Sequence, residues 1–121
     1  MRKTVIMGAT PNTNRYAYLA AEKLTEHMEA FVLIGIKIGE VFGQPILDLR
    51  QEPVVADVDT ITMYMNADNQ RAWLDYIVSL KPRRIIFNPG AENPELEALA
   101  RARGIQTENT CTLVLLATGA Y

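Results

Sequence analysis

Apolar residues fall in short continuous runs that alternate with stretches of helical spacing, and this alternation predicts the secondary structure. Residues 3–8 read as a short buried strand. From Arg15 to about His27, the apolar positions Tyr16, Leu19, Ala20 and Leu24, with Met28 beyond, recur at helical spacing; Glu22, Lys23 and Glu26 lie on the other side. Phe31-Val32-Leu33-Ile34 is a second strand, stopped by Gly35. Residues 39–56 hold Gly39, Gly43, Pro45 and Pro53 and are expected to form an irregular excursion, with Ile46-Leu47 a candidate extended piece. Asp59 to Met65 alternates Ile61, Met63 and Met65 with Thr60, Thr62 and Tyr64, which predicts a third strand.

Asn69 to Leu80 sets Trp73, Leu74, Ile77 and Leu80 on one helical face, and Pro82 ends it. Arg84 to Phe87 is a fourth strand, closed by Asn88-Pro89-Gly90. The next helix is strongly signalled, with Asn93 as cap, Pro94 at its first position, Glu95 and Glu97 in its first turn, and Gly104 as its stop. Ile105 opens a fifth strand that runs to about Thr107 or Asn109. Cys111 to Ala117 fits a helix or a strand equally and ends at Gly119.

Continuous apolar strands alternating with helices imply a parallel sheet covered on both faces. Right-handed crossovers then predict an α/β, Rossmann-like, doubly wound sheet of five parallel strands in the order 3-2-1-4-5. The 121 residues suit one domain over 1–121, without repeats or linkers.

Composition narrows the field mainly by exclusion. Apolar residues are 49% and charged residues 21% of the chain, a globular balance rather than a disordered one. A net charge of −2 offers no general attraction to nucleic acid or to anionic membranes. No apolar stretch approaches membrane-span length, and Gly8, Thr10, Pro11 and Asn12 interrupt the run that follows Arg2-Lys3, unlike a signal peptide. One cysteine forbids an internal disulfide, and a reducing, cytoplasmic setting is expected.

In a doubly wound sheet, ligands sit beyond the carboxyl ends of the strands, where the strand order reverses. Gly8-Ala9-Thr10 lies there, leading through Asn14, Arg15 and Tyr16 into the first helix. A strand, a glycine turn and a helix N-terminus make an anion site, because the first-turn N–H groups lack helical partners and the dipole is positive there. Arg15 adds a full charge. Any α/β domain needs such a turn, and Thr10 or Asn14 would serve equally as a helix cap.

The turn departs from the dinucleotide fingerprint G-x-G-x-x-G, since Thr10 and Thr13 hold its later glycine positions. The second strand also leads to Lys37, whereas NAD enzymes place a carboxylate there for the ribose. A lysine suits an extra ribose phosphate, so NAD is disfavoured and NADP or coenzyme A remains. Met65-Asn66 and Asn88-Pro89-Gly90 also fall at strand ends, the latter explained equally as a turn or a ligand contact. Arg2, Lys3, Arg83 and Arg84 precede strands and are expected to be solvated at the opposite edge, while Arg101 and Arg103 suit a helix end. His27 lies at the wrong edge for chemistry, Cys111 is expected as a buried thiol, and Glu92 fits an acid, a base or a surface residue. No metal-ligand spacing and no catalytic constellation stands out.

These residues resemble the small single-domain CoA-binding proteins, whose fold also occurs in the CoA-binding domain of the succinyl-CoA synthetase alpha subunit. The resemblance rests on Gly8-Ala9-Thr10-Pro11-Asn12 with Arg15-Tyr16, Leu33-Ile34-Gly35 with Lys37 and Gly39, Tyr64-Met65-Asn66, Phe87 through Glu95, and Cys111 through Leu116. It implies a stand-alone module that binds CoA or an acyl-CoA, alone or with a protein partner or a second copy. The diphosphate would sit at Gly8 to Tyr16, and Lys37 would lie near the ribose 3′-phosphate. Adenine would lie between the ends of the second and third strands, and the pantetheine arm would point toward Asn88 to Gly90 and Cys111. Met28 stands where relatives often have a glycine. The phosphohistidine-bearing and ATP-grasp parts of the synthetase are missing, so its chemistry does not carry over. The rival readings are an NADP-dependent oxidoreductase and a regulatory partner domain with a vestigial nucleotide site.

Overall fold

In the computed structural model, which describes residues 2–121, each run expected as a strand forms one. The strands are β1 (Lys3–Met7), β2 (Phe31–Gly35), β3 (Glu40–Val41), β4 (Gln44–Asp48), β5 (Val58–Met63), β6 (Arg84–Phe87) and β7 (Gln106–Asn109). The helices are α1 (Tyr16–Glu26), α2 (Ala67–Gln70), α3 (Leu74–Ser79), α4 (Pro94–Ala102) and α5 (Thr112–Thr118). The segment left open between helix and strand is therefore the helix α5, stopped by Gly119 in a left-handed conformation.

The sheet corrects the expected topology. It has seven strands rather than five, in the order β3-β4-β2-β1-β5-β6-β7. All pairings are parallel except the β3–β4 hairpin. The run expected as the third strand, now β5, pairs with β1 and not with β2. The place outside β2 belongs to β4, within the stretch expected to be irregular. Pro45 argued against a strand because proline lacks a ladder donor. Pairing with β2 starts only at Ile46, so the missing N–H falls outside that ladder.

Each sheet face carries its own core. Ile6 and Leu33 pack under α1 and α5, where Ala17, Ala20 and Ala21 let α1 lie close to the strands. Val5, Met7, Ile34, Ile61 and Met63 face Ile77 of α3 and Leu96 and Ala100 of α4. Alternation in β5 does not mark a solvated face, since Thr60 and Thr62 are fully buried and hydrogen-bonded. The helix expected over Asn69–Leu80 is broken into α2, a 3-10 turn at Arg71–Trp73, and α3.

Arg84 overturns its expected solvation. It is buried, donates to Thr60 Oγ1 at 2.8 Å and to the backbone oxygen of Tyr121 at 2.8 Å, and pairs with Glu108 at 3.2 Å. Its guanidinium lies 4.6 Å from the centre of the Tyr121 ring, and the Tyr121 hydroxyl bonds to Thr4. A buried arginine persists because every side of it is matched. Arg2 and Arg83 are exposed as expected, sharing Asp59 at 3.2 and 2.9 Å.

Met28 occupies a conformation that favours glycine. It has φ 57°, and the Glu29 N–H reaches the Leu24 carbonyl at 2.9 Å, so α1 ends in a Schellman motif. The Met28 side chain is 92% exposed and contributes no packing. Met28→Gly is therefore expected to stabilise the fold by about 0.5–1 kcal/mol in urea denaturation, because a left-handed non-glycine residue carries a steric cost.

A second expectation concerns acid. The Arg83 hydrogen bonds hold the Asp59 carboxyl at about 2, below its ordinary 3.8. This stabilisation is complete above the unfolded value and is lost as pH falls toward about 2. Asp59→Asn should cost about 1–2 kcal/mol at neutral pH, and the gap to the parent protein should close in acid denaturation near pH 2.

Candidate functional site

The chain leaves β1 for β2 on one side and later returns to β5 on the other, so the strand order reverses beside β1. The carboxyl ends of β2, β1, β5 and β6 surround a cleft of about 830 Å³, a size that accepts a cofactor. Eleven of the twelve residues expected to hold a ligand line it: Gly8, Ala9, Thr10, Asn14, Arg15, Tyr16, Lys37, Met65, Asn66, Pro89 and Gly90. Asn88 does not.

Tight backbone packing forms the floor. Gly8 has φ 97°, and a Cβ there would stand 2.9 Å from Met65 Cγ and 3.1 Å from the Met65 nitrogen. A Cβ on Gly35 would stand 2.6 Å from the Ala9 carbonyl oxygen. The Gly8 and Ala9 N–H groups both donate to the Ile34 carbonyl, at 2.8 and 3.0 Å, which ties the turn to the end of β2. Neither glycine leaves room for a side chain.

The turn then folds on itself. Thr10 Oγ1 accepts from the Asn12 N–H at 3.2 Å, and Asn12 Oδ1 accepts from the Asn14 N–H at 3.0 Å. Thr10 and Asn12 thus shape the loop, and neither caps α1. The cap position is Arg15, in extended backbone, with no side-chain hydrogen bond to the helix and no acidic residue in the first turn. Among the described residues, the N–H groups of Tyr16 and Ala17 have no protein acceptor. By contrast, α4 has Asn93 Oδ1 accepting from the Glu95 and Leu96 N–H groups, with Glu95 and Glu97 behind it. One helix supplies its own anions; the other presents bare amides and a cation to the cleft.

Lys37, beyond β2, lines the same cleft and is exposed. Among the described residues, neither Arg15 nor Lys37 forms an ion pair; Lys3, Lys81 and Arg103 are also unpaired but lie outside the cleft lining. Among the described residues, no carboxylate lines the cleft. A chain of net charge −2 therefore keeps two unneutralised cations beside a positive helix end. That arrangement is electrostatically suited to an anion.

At the other end, Asn88 is buried and fully engaged. Its Nδ2 donates to Thr62 Oγ1 at 2.8 Å and to the Met63 carbonyl at 2.9 Å, and its Oδ1 accepts from the Thr112 N–H at 2.9 Å. It thereby fixes the start of α5 and turns Pro89 and Gly90 toward the cleft. Gln70, which sequence reasoning missed, braces the same wall. Its Nε2 donates to the Met65 and Ala91 carbonyls at 2.7 and 2.8 Å, and its Oε1 accepts from Asn93 at 2.9 Å. A glutamine inside a helical pattern carries no signal of such a role.

Other lining residues also escaped prediction. Leu49 follows β4, of which only Ile46-Leu47 was expected as an extended piece, while Ile36, Asn69 and Trp73 enter through the loop after β2 and the broken helix. Tyr64 lines the cleft with its hydroxyl buried and without a hydrogen bond, and burial pushes its phenol up to about 12. Cys111 is half-buried at the start of α5 and lies outside the lining. Met65 and Asn66 belong to the cleft, but not between the second and third strands, because β1 separates β5 from β2. An adenine site defined by those two strands therefore has no counterpart, and the residues nearest the β2 and β4 ends are Ile36, Lys37 and Leu49.

Solved structures share this architecture. An uncharacterized protein is 52% identical with a TM-score of 0.95, the match covering 100% of this chain and 98% of that one. A Thermus thermophilus protein is 18% identical, with a TM-score of 0.81 and coverage of 99% and 91%. A hypothetical protein from Pyrococcus horikoshii is 19% identical, with a TM-score of 0.79 and coverage of 93% and 80%. At such identities the last two show likeness of fold alone. No curated protein matches the chain. The family model described as a CoA binding domain spans residues 2–117, so the chain belongs to the family of CoA binding domains.

Proposed function

We propose that this protein is a CoA-binding module that holds the cofactor's diphosphate at the start of α1 and its ribose 3′-phosphate near Lys37. The observation that carries this reading is the N-terminus of α1, with its Tyr16 and Ala17 amides unbonded, Arg15 at the cap and no acidic residue in the first turn. The adenine ring takes the apolar corner of Ile36 and Leu49, and the pantetheine arm runs past Met65 toward Pro89 and Gly90. Three inter-strand spacings, about 14 Å, separate the ends of β2 and β6, so the ligand lies extended across the sheet edge. No nucleophile with its base lines this path, which favours binding or presentation of CoA over turnover.

Trp73, the sole tryptophan, lines the cleft and offers a fluorescence readout beside calorimetry. Lys37→Ala is expected to weaken CoA about fivefold to tenfold while changing dephospho-CoA less than twofold, as one charge-assisted contact is lost. Equal losses for the two ligands would remove Lys37 from the phosphate. Preference for NADP over CoA would replace the CoA reading by the oxidoreductase one.

Arg15 gives a second, opposed pair of effects. Arg15→Ser introduces a capping hydroxyl and removes a cation from the positive end of α1. It should stabilise the ligand-free protein by about 1 kcal/mol and weaken CoA and dephospho-CoA alike by about tenfold. Unchanged affinity would take Arg15 out of the site.

A further inference from the structure

Cations line one end of the cleft, and a carboxylate stands just outside its other end, where the CoA reading places the thiol. Arg15 and Lys37 lie at the β1 and β2 ends. Two strands further on, beyond β6, Gly90 lines the cleft and its N–H donates to Oε1 of Glu92, which stands outside the lining, at 2.8 Å. That bond holds the Glu92 carboxyl group against the Pro89-Gly90 turn. Glu92 is exposed and, among the described residues, forms no ion pair. Nearby Asn93 and Pro94 bring no compensating charge, and Glu95 adds a second carboxylate at the start of α4.

From this polarity we infer that Glu92 selects the acyl group: the site accepts the free thiol or an uncharged acyl chain and disfavours acyl groups ending in a carboxylate. The inference rests on the CoA-binding reading, which sets the direction of the ligand. The phosphates gain from the cationic end whatever the acyl group. Only the acyl terminus, where it leaves the cleft past Gly90, comes near Glu92, so discrimination appears between thioesters that share the same nucleotide. Repulsion between two like charges at short range through water amounts to about threefold to fivefold in affinity.

The test compares butyryl-CoA with succinyl-CoA, two four-carbon thioesters that differ by a terminal carboxylate, with free CoA as the reference. At low salt the parent protein should bind butyryl-CoA about threefold to fivefold more tightly than succinyl-CoA, and the gap should shrink as added salt screens the charges. In Glu92→Gln the amide oxygen still accepts from the Gly90 N–H, and the two thioesters should agree within about twofold. The inference is overturned if the parent binds succinyl-CoA as well as butyryl-CoA, or if the gap survives unchanged in the variant. The salt series on the parent protein decides the matter alone should the variant misfold. Failure of free CoA to bind defeats the functional reading itself, an outcome distinct from equal binding of the two thioesters.

Discussion

Everything at the ligand edge depends on how closely three backbone segments approach one another. The turn after β1 passes so near the end of β2 and the loop after β5 that a single methyl at Gly35 or Gly8 would overlap backbone or side-chain atoms. Hydrogen bonds from Gly8 and Ala9 to the one Ile34 carbonyl hold the turn in that gap. Glycine at position 8 therefore serves the fold before it serves any ligand. Because the turn cannot move outward, the start of α1 is aimed along the strand ends, and the cleft inherits its direction from packing.

Buried polar groups fix the remaining walls. Asn88, Thr62 and Thr112 close one network under α5, and Gln70 with Asn93 closes another between the loops after β5 and β6. A buried polar group without partners is costly, so such networks allow few alternative arrangements. They also sharpen the reading of the site, since side chains already matched inside the protein do not need a ligand. What remains unmatched around the cleft, among the described residues, is a short inventory: the first amides of α1 and two cations.

Local chemistry was far easier to read from the sequence than long-range placement. The Asn93-Pro94 start and Gly104 stop of α4 appear as expected, because each acts within a few residues of itself. The glycine turn, Arg15 and Lys37 were legible for the same reason, once the strand ends were known. The order of the sheet was not, because a glycine- and proline-rich stretch concealed β4, and omitting one strand displaced β5 to the wrong side of β1. Arg84 was misread because its position before a strand's midpoint suggests solvent, whereas its partners Thr60, Glu108 and Tyr121 are distant in sequence. Gln70 shares that difficulty, as its role exists only after two loops have come together.

Two helix starts in the fold differ sharply in how well they are capped. At α4, Asn93 and two glutamates match the exposed amides, which is the arrangement an isolated helix prefers. At α1 the corresponding position holds Arg15, a residue that opposes the dipole by about 0.3–1 kcal/mol and caps nothing. Such a departure destabilises the empty protein and becomes favourable only when an external anion bridges the amides and the guanidinium. If the proposed ligand binds there, binding and folding are coupled through one helix terminus, and a substitution that makes the empty fold more comfortable there removes part of the reason for a phosphate to bind.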